Sequence, residues 1–298
     1  MKIVVAGSSG LIGSALVKAV RGDGNEVVRL VRRAPHAVDE IQWNPAKREL
    51  DVSALGEIDA VVNLAGENIA AGRWTAGRRE KILRSRVDAT QTLVAACLRL
   101  PRKPQVFVNA SAIGFYGDRG DEELTEASGA GLGFLPETCL IWETNAEGAA
   151  RAGIRTVLLR LGVVLARDGG ALAKLRPVFR LGLGGRLGDG RQWMSWVSLT
   201  DAVRAVQYAL ADARCAGAVN VVAPEPVTNA DFTTTLAHVL DRPAAFHAPA
   251  WVLRLALGAM ATETLLASTR VRPERLLGTG FAFRHPTLAE ALRAELGG

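Results

Sequence analysis

Short apolar runs alternate with amphipathic stretches through the first half of the chain. "KIVVAG" is β-rich, and from Leu11 the spacing turns helical until "RGDG" breaks it at Gly22 and Gly24. "EVVRLV" and "IDAVVNLAG" read as two further strands. Ser85 to Leu100 reads as a helix stopped by Pro101, "QVFVNASA" as a strand, Glu137 to Ala152 as a helix and "RTVLLRLGVVLA" as another strand. Strands alternating with helices predict βαβ units. The expected fold class is therefore α/β, a Rossmann-type doubly wound parallel sheet covered on both faces.

Beyond Ala166 the rhythm loosens. "LGLGGRLGDGRQW" is too glycine-rich for long regular structure. "SLTDAVRAVQYAL" predicts a helix capped by Thr200 or, one turn earlier, Ser198. "AVNVVA" reads as a strand, "TNADFTTTLAHVL" as a capped helix and "DRPAAFHAPA" as a linker. The last stretch reads as short helices with one extended piece around Phe281. The expected organisation is a cofactor domain over 1–165 and a smaller lobe over 166–298, in which 249–298 is an appended helical domain.

Composition narrows the partners. The chain has 298 residues, 49% of them apolar, and a formal net charge of +6. That charge suits an anionic ligand, and the cations are too scattered for a nucleic-acid surface. The densest run, Arg73 to Arg86, alternates with apolar positions as a solvated helix face does. Cys97, Cys139 and Cys215 form no CxxC pair, and His36, His238, His247 and His285 have no partner at ligand spacing. Neither a disulfide framework nor a metal site is expected. No apolar run reaches the ~20 residues of a bilayer span, and with Met1 leading directly into a strand no leader is expected. The expectation is a cytoplasmic setting with no membrane partner.

Gly7, Gly10 and Gly13 fall between a strand and a helix. In that context the three have distinct mechanical roles, namely a tight turn, close approach of backbone to a diphosphate, and close helix–strand packing. The unpaired amides of the helix's first turn and its dipole then favour the diphosphate. Nineteen residues past Gly13, where an NAD enzyme would carry an acid to read the ribose hydroxyl, stand Arg32 and Arg33. Guanidinium suits a 2′-phosphate, so the expected cofactor is NADP(H).

"AGSSGLIG", "NLAGEN" and "SAIGFYG" resemble the extended, epimerase-like branch of the short-chain dehydrogenase/reductase superfamily. "LRLGVVLARDGGAL", "FRLGLGGRLGDGRQWMSWVSLTDAVRA" and "RVRPERLLGTGFAFRHPTLAEAL" are similar to its epimerase family protein subgroup, which carries an appended C-terminal domain of unknown function. The resemblance spans essentially the whole chain. It implies a cofactor contact for Gly7, Ser9, Gly10, Leu11, Ile12 and Gly13, for Leu64, Ala65 and Gly66, and for Lys81 and Arg86. It also implies a small-molecule, nucleotide-sugar-like substrate, and it is compatible with a homodimer. Asn63 reads equally as an Asx-turn residue ending its strand.

The superfamily's Tyr-x-x-x-Lys pair is absent, because Gly120 and Asp212 stand four residues after Tyr116 and Tyr208. By spacing from "FYG", Cys139 takes the Tyr place and Glu143 the Lys place, i to i+4 on one helix face. The usual Ser place falls on Ala112, with Ser111 beside it. A carboxylate raises a neighbouring thiol's pKa, which makes Cys139 a poor nucleophile but a conceivable acid. The competing reading is a small buried Cys and a surface Glu. Tyr116 is the other hydroxyl able to reach a substrate, or else a packed aromatic. Arg180, Arg186 and Arg191 in the glycine-rich stretch suit an anion, or the stretch is a mobile loop. Trp193 and Trp196 read better as packing, and "DRGDEELTE" as a polar surface loop. Two functions stay open: an oxidoreductase or epimerase-like enzyme, and a non-catalytic NADP(H) sensor.

Overall fold

The computed structural model describes residues 1–297. β1 (Lys2–Ala6) is an apolar run buried on both faces, as a central strand of a parallel sheet must be. The spacing then changes to helical, and α1 (Leu11–Gly22) buries Leu16, Val17 and Val20. β2 (Glu26–Val31), β3 (Glu40–Asn44), β4 (Glu49–Leu50) and β5 (Ala60–Asn63) follow. α2 (Ala76–Arg99) is capped by Thr75, whose hydroxyl accepts from the Arg78 amide. It begins well before Ser85, because its first turns carry the charged run rather than an apolar face. β6 (Val106–Ala112), β7 (Glu123–Leu124), α3 (Phe134–Arg151) and β8 (Arg155–Leu161) complete this half.

The second half contains β9 (Val163–Ala166), α4 (Gly170–Arg180), β10 (Gly185–Leu187), β11 (Trp193–Met194), β12 (Trp196–Ser198), α5 (Leu199–Ala211) and β13 (Gly217–Val221). β14 (Val227–Thr228), α6 (Asn229–Leu240), β15 (Phe246–Ala248), α7 (Ala250–Leu257), β16 (Arg270–Val271), α8 (Glu274–Thr279) and α9 (Leu288–Leu296) follow. Ser198 and not Thr200 caps α5, its hydroxyl accepting from the Asp201 amide at 3.1 Å.

Eight strands form one sheet in the order β13-β8-β6-β5-β1-β2-β3-β4, parallel throughout except for the β3–β4 pair. This is the α/β doubly wound sheet that the alternation predicts. One face carries α1 and α5 over Leu16, Val203 and Val206, and the other carries α2 and α3 over Leu93, Ala146 and Phe107. Chain order reverses at β1, which lies between β2 and β5. That reversal opens a crevice beyond the strands' carboxyl ends.

Several details differ from the expected layout. The run "RTVLLRLGVVLA" is two strands, divided at Gly162, where a Cβ would lie 2.7 Å from the Ser195 carbonyl oxygen. β9 leaves the main sheet and pairs with β12. Elements beyond residue 165 also join the main sheet layer. α5 packs on α1, and β13 pairs with β8 and becomes the outermost strand on that side of the sheet. The linker-like stretch contains β15, and the acidic loop contains β7, which pairs with β16.

Candidate functional site

The crevice is walled by the turn after β1 and the loop after β5. Gly7 has φ +80°, and a Cβ there would sit 2.6 Å from the Leu64 backbone. The Gly10 amide donates to the Gly7 carbonyl at 3.0 Å. At Gly13 a Cβ would come within 2.1 Å of the Gly7 carbonyl oxygen. The three glycines therefore play the parts that their spacing implies, as a left-handed turn, a bare approach and a close helix–turn contact.

The first bond into α1 runs from the Ser14 amide to the Gly10 carbonyl at 2.9 Å, and no side chain caps Gly10. The amides of Leu11, Ile12 and Gly13 thus lie outside the helical ladder, at the positive end of the dipole. Ser9 and Gly10 are exposed. The Leu11 side chain packs under the loop before α4, where a Cβ on Gly169 would meet its Cδ1 at 2.5 Å. Ile12 and Leu64 pack against the α1 face of the core. A bare turn with three free amides fits a diphosphate.

At the end of β2 the two arginines have different surroundings. Arg33 donates from Nη1 and Nη2 to the two carboxylate oxygens of Glu40, each at 2.7 Å. The Arg33 bonds, then the His36 amide, hold the Glu40 carboxyl down at about 2. Arg29 also reaches Glu40 at 3.1 Å and binds Asp39 at 2.6 Å. Arg32 is exposed and, among the described residues, forms no hydrogen bond or ion pair. The expected pair of free guanidiniums is thus one free and one half-committed, because Glu40 neutralises Arg33.

Across the crevice, the Leu64 amide donates to Ala6 at 2.9 Å. Asn63 closes the Asx turn, accepting from the Ala65 amide at 3.2 Å. Its amide donates to Asn109 at 2.7 Å and Thr90 at 3.0 Å, and the Trp142 indole also donates to Thr90 at 3.0 Å. Arg86 is wedged beneath Gly66, where a Cβ would meet its Cζ at 3.3 Å. It donates to the Ile82 carbonyl at 2.9 Å and the Glu67 carbonyl at 3.1 Å, and lies 5.0 Å from the Trp142 ring. Burial lowers its pKa, against an opposing pull from Cys139 and Glu67. Lys81 is exposed on α2.

The three candidates for proton transfer lie in one buried network. The Ser111 hydroxyl donates to Glu143 Oε1 at 2.6 Å. Arg160 donates to the same carboxylate from Nε at 2.9 Å and Nη2 at 2.8 Å, and from Nη1 to the Tyr116 oxygen at 3.0 Å. Tyr116 in turn donates to Asn220 at 2.7 Å. Glu143 is only 5% exposed, so it is not the surface residue of the competing reading. Tyr116 is wholly buried, at the end of the turn over Ile113–Tyr116, with its hydroxyl enclosed between Arg160 and Asn220. Burial first, then Glu143, pushes the Cys139 thiol up to about 12. Ser111 and Arg86 pull it weakly down.

Sequence reasoning misses Arg160 and Asn220, although the arginine amid the apolar run of "RTVLLRLG" carries a signal. A charge in a strand buried on both faces needs a partner.

On the lobe side the glycine-rich stretch contains one short strand, β10, set between turns. A Cβ on Gly185 would overlap the Phe246 carbonyl at 1.8 Å, so β10 can pair with β15 only if that residue is bare. Arg180, Arg186 and Arg191 are exposed. Trp196 is fully buried, and Trp193 donates to Asp121 at 2.8 Å beneath Arg270. Among the described residues, no group of three or more His, Cys, Asp and Glu is arranged to hold a metal ion. No helix among them is long and apolar enough to cross a membrane.

Comparison with known proteins places this geometry among relatives. The model of the NAD dependent epimerase/dehydratase family matches residues 3–222, and a domain of unknown function, DUF1731, matches residues 248–295. Epimerase family protein Mb2239 of Mycobacterium bovis is 46% identical over 290 residues, covering 97% of this chain and 96% of that one. Epimerase family protein SDR39U1 of Homo sapiens is 36% identical over 296 residues, covering 98% and 99%. The crystal structure of human SDR39U1 (isoform 2) with NADPH superposes with a TM-score of 0.91 at 33% identity, over 99% of both chains. UDP-glucuronic acid 4-epimerase from Bacillus cereus, with UDP-glucuronic acid and NAD, shares the fold at a TM-score of 0.78 and 19% identity, over 99% of this chain and 98% of that one.

Proposed function

The chain belongs to the NAD dependent epimerase/dehydratase family, and from that premise we propose that it binds NADP(H) and acts as an oxidoreductase or epimerase-like enzyme on a small substrate. The glycine turn carries this reading: a left-handed Gly7, a bare Gly10 and three free amides at the start of α1 fit a diphosphate. The human relative crystallised with NADPH supports the choice of cofactor. The bound nicotinamide would supply or accept the hydride.

This chain's own residues then divide the remaining work. Ser9, Gly10, Leu11, Ile12 and Gly13 offer backbone to the diphosphate, and Leu64, Ala65 and Gly66 form the facing wall. Arg32 meets the 2′-phosphate, with Arg33 contributing less because Glu40 holds it. Arg86 props the wall from below, and Lys81 adds positive charge at the mouth. Cys139, kept as a neutral thiol beside Ser111, is the proton-bearing group. Glu143 and Tyr116 act as positioning residues, fixing Ser111 and Arg160. Three buried free cysteines suit a reducing compartment such as the cytoplasm.

A second reading has its own observation: Glu143 and Tyr116 are buried with their polar atoms already engaged, as a cofactor-binding sensor without turnover would allow. Calorimetry with NADPH and NADH, followed by absorbance assays over carbonyl compounds and nucleotide sugars, separates the two. The enzyme reading expects turnover that falls in Cys139→Ala and Ser111→Ala. The sensor reading expects tight NADPH binding and no turnover on any compound. Absence of saturable binding of either coenzyme sinks both, and equal NADPH affinity in Arg32→Ala removes the assignment of that arginine.

A further inference from the structure

Residues 170–187 and 242–262 together hold six arginines and lysines and no aspartate or glutamate, in a chain where acids make up 30 of 298 residues. These two segments come together through the parallel β10–β15 pair, an Arg242 Nε–Arg180 carbonyl bond at 3.2 Å and the Phe246 amide bond to Gly184 at 3.2 Å. They also carry a concentration of large exposed apolar side chains. Leu181 is 74% exposed, Leu183 50%, Phe246 54%, Trp251 67% and Leu255 71%. α7 begins two residues beyond β15 and buries no residue fully. Its Leu257 packs inward on the cluster around Trp74 and Met260, leaving Trp251 and Leu255 outside, one helical turn apart.

Among the described residues, none of Arg180, Arg186, Arg242 and Arg254 has a carboxylate within ion-pair distance. Exposed tryptophan and leucine bordered by arginines without carboxylate partners is the composition of an interfacial surface, with Asp189, Asp241 and Glu263 standing just outside the two segments. The apolar groups enter the acyl boundary, and the guanidiniums meet lipid phosphates. An acidic protein partner would be met by cations alone and would leave the apolar side chains unexplained. We propose that the α4–β10–β15–α7 face docks on an anionic lipid bilayer. The expectation of no membrane partner rests on the absence of a spanning run, and surface docking requires no span.

The test is co-sedimentation of the full chain with vesicles of phosphatidylglycerol and phosphatidylcholine, and with vesicles of phosphatidylcholine alone, at low and raised salt. Expected is retention on the anionic vesicles that weakens with salt and drops by about tenfold in the double variant Trp251→Ser, Leu255→Glu. Circular dichroism melts of the variant verify that it folds, and Arg254→Glu supplies a second, milder probe of the charge. The proposal is overturned by no retention on either vesicle, by equal retention on neutral vesicles, or by retention indifferent to the variants. A dimer in solution that the double variant splits, without vesicle binding, assigns the face to a second copy of the chain and also overturns it.

Discussion

Arg160 and Glu143 meet side by side inside the sheet–helix layer, Nε to Oε1 at 2.9 Å and Nη2 to Oε2 at 2.8 Å, with each side chain 6% exposed. Burial opposes the guanidinium's charge, but the Glu143 bonds and charge more than offset it, so Arg160 is held protonated above its usual range. Removing one partner leaves the other charge unpaired in the interior. Glu143→Gln should destabilise the fold by about 3–5 kcal/mol in urea melts, and Glu143→Leu with Arg160→Met should recover most of that loss. A double variant as unstable as the single one would show that the pair is not the relevant unit.

Gly13→Ala places a methyl group where the Gly7 carbonyl oxygen already lies, 2.1 Å away. The turn or α1 must shift, at a cost of about 1–3 kcal/mol. The same shift moves the free amides, so the NADPH binding heat should vanish in calorimetry even where the melt shows a folded protein. Gly77→Ala, in open space on α2, is the matched control and should leave both measurements unchanged.

The Arg29–Asp39 and Arg33–Glu40 pairs predict an acid limb of stability. The Arg29 hydrogen bond, then the charges of Arg29 and Arg21, hold Asp39 at about 2, and the Arg33 bonds hold Glu40 at about 2. Both folded values lie below the unfolded ones, which are about 4. The stabilisation is therefore complete above about pH 4 and is lost as pH falls toward 2. Urea midpoints measured between those pH values should fall more steeply in the native protein than in Asp39→Asn.

Cys97 and Cys139 are both pushed up to about 12, in each case chiefly by burial. The folded state keeps both thiols neutral, whereas the unfolded chain ionises them at about pH 8.5. Their contribution is present below that pH and fades as pH rises toward 12. A disulfide reagent at pH 8 should leave Cys139 unmodified until denaturant is added. Rapid native labelling of Cys139 would show that the thiol opens to solvent.

The sheet is legible in the sequence because its central strands are apolar on both faces and separated by amphipathic helices. The glycine turn is legible because its three residues sit on a strand–helix boundary. The proton-transfer network is not. Its members come from β6, the turn that follows it, α3, β8 and β13, and Tyr116 meets Asn220 across 104 positions. Glu143 looks like a surface residue because its partner stands on the next strand, not on its own helix. "AVNVVA" is readable as a strand, but nothing local says that it pairs with β8. The bareness of Gly185 suggests mobility because its neighbour, Phe246, lies far along the chain.

The placement of β13 bears on how the chain is made. A ribosome delivers β8 well before residues 217–221, so the nascent sheet carries an unpaired edge while β9, α4, β10 and α5 are still being synthesised. An open edge of this kind is a template for intermolecular pairing. Truncation upstream of Gly217 should accordingly yield inclusion bodies rather than a smaller folded core, and co-translational chaperones should dwell longest on that interval.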